Sequence, residues 1–161
     1  MVKALAVAAV LWPITLGGAV VARAHDAVPA FAATIYLAGS RICHQRPERS
    51  FYSDGVKWPV CGRCSGLYIG GAIGALAAMS AWRRRAARRD QLVWLAAAAV
   101  PTALTVVLEW SGLAGVGNSA RALAGIPLGA MIAVVIVQIA GGRDFSPAGS
   151  KDPASRQRQV N

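Results

Sequence analysis

Four charge-free apolar runs, Ala4–Ala22, Ser65–Trp82, Gln91–Leu108 and Ala122–Gly142, take up nearly half of a chain of 161 residues. Each has 18 to 21 residues. At about 1.5 Å per residue such helices reach roughly 27–32 Å, the thickness of a bilayer's hydrocarbon core. In lipid the backbone must satisfy its own hydrogen bonds, so a run of this kind spans as a helix. The expected fold class is therefore all-α: a polytopic membrane helical bundle with four transmembrane helices. A fifth run, Ala27–Ser40, has 14 residues and contains Pro29, which suits a short interfacial or re-entrant helix. Composition points the same way, with 55% apolar residues, 15% charged and a mean hydropathy of +0.46. Soluble domains carry about 25% charged residues, and the balance here excludes a disordered chain, a collagen and a disulfide-dense toxin.

Seventeen Lys/Arg against seven Asp/Glu leave a net charge of +10. In a membrane chain such an excess marks cytoplasmic loops and contacts with anionic headgroups. Membrane lipids are thus the expected partners, and nucleic acid is not. Arg83, Arg84, Arg85, Arg88 and Arg89 form the densest cationic run, between the second and third spans. Short Lys/Arg-rich loops stay cytoplasmic. That places both termini inside a cell (inner) membrane of bacterial type and the loop before the second span outside. Residues 1–24 read as the first transmembrane helix, 25–142 as a membrane domain with an extracytoplasmic Cys/His loop, and 143–161 as a disordered basic cytoplasmic tail. The first segment has a second reading, because Lys3, an apolar stretch and Ala22-Arg23-Ala24 are signal-like.

Gly66, Gly70 and Gly74 recur every four residues, as do Gly125, Gly129 and Ala133. Stripes of small residues let helix backbones approach closely in lipid, so these positions are expected to hold helices together. They also offer a route to a homo-oligomer.

The polar residues gather in two places. One reads Cys43-His44-Gln45-Arg46-Pro47-Glu48-Arg49-Ser50-Phe51, then Cys61-Gly62-Arg63-Cys64-Ser65-Gly66, and holds all three cysteines. The other is the turn between the last two spans, with Glu109, Asn118 and Arg121. The expected topology brings both to the outer membrane face. Cys-His-Gln, Arg-Ser-Phe, Cys-x-Arg-Cys-x-Gly-x-Tyr-x-Gly and the later acid with Asn118-x-x-Arg121 resemble the membrane proteins described as domain of unknown function 2085. The resemblance covers roughly Ile42–Ala133. It departs in Glu109, where Asp is expected, and in Gly62 and Ser65, where Ala and Thr are expected. It implies a small integral membrane protein and supplies no activity.

Three readings of the cysteines stay open. Cys43, His44, Cys61 and Cys64 offer the four N/S ligands of a tetrahedral metal site, zinc ahead of copper, with Arg63 favouring thiolate. Alternatively, Cys61 and Cys64 form a redox pair at a helix start with Cys43 as relay, making a membrane thiol–disulfide oxidoreductase. The third reading is a disulfide clasp in a structural or transporter-associated protein. Glu109 and Arg121 read as an ion pair at helix ends. Asn118 suits the N-cap of the last span and shares a helix face with Arg121. No P-loop, nucleotide-binding glycine fingerprint, HExxH or serine nucleophile motif occurs, so soluble nucleotide chemistry is not expected.

Overall fold

The computed structural model describes residues 1–80 and 88–141. Arg83, Arg84, Arg85, Trp82 and the tail from residue 143 lie outside the described residues. Five helices and one hairpin follow in order: α1 (Val2–Ala24), α2 (Pro29–Ile42), a 3-10 turn (Pro47–Arg49), β1 (Ser50–Ser53), β2 (Val56–Cys61), α3 (Gly62–Ser80), α4 (Arg88–Trp110) and α5 (Asn118–Ala140). Among the described residues, three helices are long and apolar enough to cross a membrane: Val2–Ala24, Asp90–Trp110 and Asn118–Ala140. The sequence expectation was four. The second expected span, Ser65–Trp82, shares Ser65–Ser80 with the 19-residue α3, its last two residues lie outside the described residues, and Arg63 and five glycines dilute the helix's apolar character. The fifth run is a 14-residue helix, α2, with Pro29 at its first turn, where a missing N–H costs nothing.

The seam between α3 and α5 is the most extensive contact of the fold; α1 packs on α3, and α4 on α5. Its closeness depends on glycine. A methyl group at Gly66 would stand 1.9 Å from the carbonyl oxygen of Ala122, and at Gly70 or Gly74 2.1 Å from those of Ile126 and Ala130. Reciprocally, a methyl at Gly129 would meet the Leu67 carbonyl oxygen at 2.1 Å. The two glycine stripes thus face each other within one chain, backbone against backbone. Thr102 Oγ1 donates to the Ala124 carbonyl at 2.7 Å and joins α4 to α5, and Gln91 donates to Gln138 nearer the other end. Met1, Met79 and Ala140 line one cavity, so the start of α1 and the ends of α3 and α5 meet there.

The molecule is not all-α. β1 and β2 pair antiparallel, with Ser53 opposite Val56 across a two-residue turn. Asp54 and Gly55 both take positive φ, 50° and 74°, the backbone that a tight hairpin turn needs and that Asp-Gly readily adopts. Pro59 lies in β2, where it is tolerated because a two-stranded sheet leaves an outer edge free of pairing. The hairpin caps one end of the bundle. Tyr36 of α2 donates to the Lys57 carbonyl, and Trp58 packs edge-on against Phe51 at 6.2 Å between ring centroids.

Candidate metal centre

Cys43 follows the last turn of α2, Cys61 ends β2, and Cys64 lies in the first turn of α3. Three elements therefore converge, and the three Sγ atoms all lie within 4.8 Å of one another. All three are free thiols. A tetrahedral ion with sulfur bonds of about 2.3 Å separates its sulfurs by about 3.8 Å, so closure needs shifts on the order of 1 Å. Cys43 is 7% exposed and packs with Leu16 and Val60, while Trp12, Ile35 and Tyr68 complete an apolar surround. Its sulfur also accepts the Cys61 backbone N–H at 3.2 Å and that of Gln45 at 3.5 Å.

Cys61 sits immediately before the positive end of α3. The Cys64 thiol hydrogen-bonds its sulfur and holds the Cys61 pKa at about 5, well below the ordinary thiol value; burial opposes this, and backbone N–H groups and Cys43 assist.

His44, the fourth expected ligand, is exposed and outside this group. The reason is local geometry. Cys43 has an extended backbone, φ −140° and ψ 136°, and successive side chains along an extended chain point opposite ways. With Cys43 turned inward, His44 faces out. His25, after α1, is exposed as well.

Gln45 has a role that the sequence reading missed. At a positive φ of 47° its amide donates to the Tyr36 carbonyl at 2.9 Å and to the Pro59 carbonyl at 2.7 Å. Lys57 Nζ donates in turn to the Gln45 carbonyl at 2.8 Å. These bonds tie the Cys43 loop to the strand carrying Cys61. Proximity in sequence to Cys43 and His44 was the available signal. Tyr68, packed edge-on to Trp12 at 6.0 Å, was visible only as part of the Cys-x-Arg-Cys-x-Gly-x-Tyr pattern.

A second cluster lies across the start of α3. Glu109, at the end of α4 with its side chain 8% exposed, accepts from Arg121 Nε at 2.5 Å. Arg63 Nη2 stands 3.5 Å and Arg49 Nη2 3.7 Å from the same carboxylate. The expected Glu109–Arg121 pair is present, within a larger group. Asn118 is not the N-cap of α5; Gly117 is. Asn118 instead accepts from Arg121 Nη1 at 2.6 Å and donates to the Ser50 carbonyl at 2.9 Å, because its side chain turns toward the hairpin. Arg63, between Cys61 and Cys64, thus points at Glu109 and Thr105.

Residues 43–135 match the family described as predicted membrane protein, domain of unknown function 2085. The chain belongs to this family. A protein of Methanocaldococcus jannaschii, described as uncharacterised, is 30% identical over 105 residues, 65% of this chain and 67% of the relative. Another, from Methanothermobacter thermautotrophicus, is 33% identical over 94 residues, 58% of this chain and 83% of the relative. Both are archaeal, and nothing in the matches assigns the chain to bacteria. No solved structure matches the chain. The matched region of this DUF2085 member starts at Cys43 and takes in both clusters.

Proposed function

We propose that this DUF2085 protein is a multi-pass membrane protein whose outer end binds a transition metal through Cys43, Cys61 and Cys64. The observation that carries the reading is the convergence of three sulfurs, from three elements, within 4.8 Å. Soft thiolates suit zinc and cuprous copper. Zinc is the favoured ion because it takes tetrahedral sulfur sites and, with three protein ligands, keeps a position for water or substrate. His44 joins the ligand set only by turning its loop inward.

The proposed topology has α1, α3, α4 and α5 crossing the bilayer, with both termini and the arginine-rich link cytoplasmic. Two points support it. The start of α1 and the ends of α3 and α5 share one cavity, opposite the cysteines along α3. The cationic run between α3 and α4 obeys the positive-inside rule when that end is cytoplasmic.

Metal content and thiol count, measured on protein purified anaerobically in detergent, test the metal reading. The expected result is near one ion per chain, with all three thiols reactive only after chelation. A metal-free protein with an easily reduced Cys61–Cys64 disulfide overturns it. That outcome favours the redox reading, which the lowered Cys61 pKa and its place at the start of α3 support.

A further inference from the structure

The group around Glu109 is electrically unbalanced. Three guanidiniums face one carboxylate, leaving two positive charges in excess. Among the described residues, only Arg121 hydrogen-bonds Glu109; the nearest nitrogens of Arg63 and Arg49 stand off at 3.5 and 3.7 Å. Arg63 Nε is buried with no hydrogen-bond partner among the described residues. Arg63 Nη2 has only a weak bond, 3.3 Å to Thr105 Oγ1. A guanidinium carries five donors, so much of this capacity is unfilled. An orphaned buried donor is costly and calls for an acceptor.

The group is also built rather than incidental. Arg121 is braced by Asn118, and Asn118 by the Ser50 carbonyl. Ser50 is itself 1% exposed, and its hydroxyl donates to the Arg46 carbonyl at 2.9 Å. This fixes the hairpin and the neighbouring 3-10 turn that carries Arg49. Side-chain exposure grades from 11% at Arg121 through 20% at Arg63 to 38% at Arg49, which defines a mouth on the Arg49 side. Glu109 organises the three arginines without neutralising them.

We propose that Arg49, Arg63 and Arg121 form a phosphate-binding subsite at the end of the bundle. A phosphate group offers several charged oxygens to forked donors, which is the pairing that arginine suits best. Its charge answers the local excess. The phosphate comes either from a lipid headgroup at this end of the helices or from a free anion. The subsite shares no residue with the thiol triad, so either stands if the other falls.

Two probes separate the sources. Lipid-depleted protein in detergent is titrated with inorganic phosphate by calorimetry. In parallel, native mass spectrometry scores retention of phosphatidylglycerol against diacylglycerol, which lacks the phosphate. Saturable phosphate binding identifies the free anion, and selective retention of phosphatidylglycerol identifies the headgroup; either supports the subsite. Arg49→Gln, at the mouth, leaves Glu109 two partners and weakens the binding about tenfold, the scale of one charge-assisted hydrogen bond. Glu109→Gln strengthens it severalfold by removing the competing carboxylate. Absence of saturable binding to both probes overturns the proposal, as does binding that Arg49→Gln leaves unchanged.

Discussion

Substituting Gly70 by alanine perturbs the α3–α5 seam at a point where the outcome is set by a single atom. The added methyl carbon would lie 2.1 Å from the Ile126 carbonyl oxygen, whereas ordinary contacts of this kind fall at 3.4–4 Å. Relief requires the helices to part by about 1.3 Å, and the obstacle is backbone, which cannot rotate away. Overpacking of this kind costs about 1–3 kcal/mol. Parting the helices also forfeits dispersion contacts along the seam, and these are the main attraction between helices in lipid. Alanine returns up to about 1 kcal/mol through helix propensity. The net expectation is a loss on the order of 2 kcal/mol, or roughly 4–8 °C in Tm for a chain of this size. Gly17→Ala is the matched control, since nothing lies within 4 Å of a methyl there. It should leave Tm unchanged or raise it slightly. Tryptophan fluorescence during thermal unfolding in detergent reads both. Equal stability of Gly70→Ala and Gly17→Ala refutes the close-approach argument.

His44→Ala should leave metal stoichiometry at the wild-type value, because the imidazole is exposed and outside the thiol group; loss of the ion by elemental analysis contradicts the three-cysteine assignment. The folded Cys61 pKa is lowered from near 9 to about 5. Its thiolate therefore contributes stability that is complete above about pH 9 and is lost as pH falls through about 5. Bound metal should be lost progressively in acid as its thiolate ligands protonate, and metal content that does not fall with pH in a chelator competition contradicts this. Glu109→Gln leaves three guanidiniums around a neutral amide, while Arg121→Gln leaves the carboxylate with Arg49 and Arg63. The first should lower stability more, by about 1–3 kcal/mol, and the double variant should lose less than the sum. Strictly additive losses in detergent unfolding rule out the coupling.

Helices and their packing faces were legible because each rests on a local rule. Apolar length sets which segments seek lipid, and a four-residue spacing of small side chains sets which face admits a close neighbour. Gly66, Gly70 and Gly74 therefore announced a helix contact before any partner was known. Asp54-Gly55 is an equally local signal for the hairpin, because both residues accept the positive φ of a two-residue turn. The number of spans was harder to read. α3 is helical and central, but Arg63 and its glycines make it less apolar than a lipid-facing span, since α1 and α5 cover it.

The sequence by itself determined that this chain is a helical membrane protein, that small residues join its helices, and that its three cysteines lie within 22 residues of one another. Only the tertiary structure decided which groups meet. The extended backbone at Cys43 turns that thiol inward and His44 outward, a choice of rotation with no mark in composition or spacing. Arg63 reaches across α3 to Glu109, 46 residues away, because the seam brings the ends of α3, α4 and α5 together. Arg49 arrives at the same carboxylate through the hairpin, which Asn118 holds by a bond across 68 residues. Spacing along a chain reports neighbours within one helix, whereas contacts across elements depend on how the elements pack, and that is a property of the whole fold.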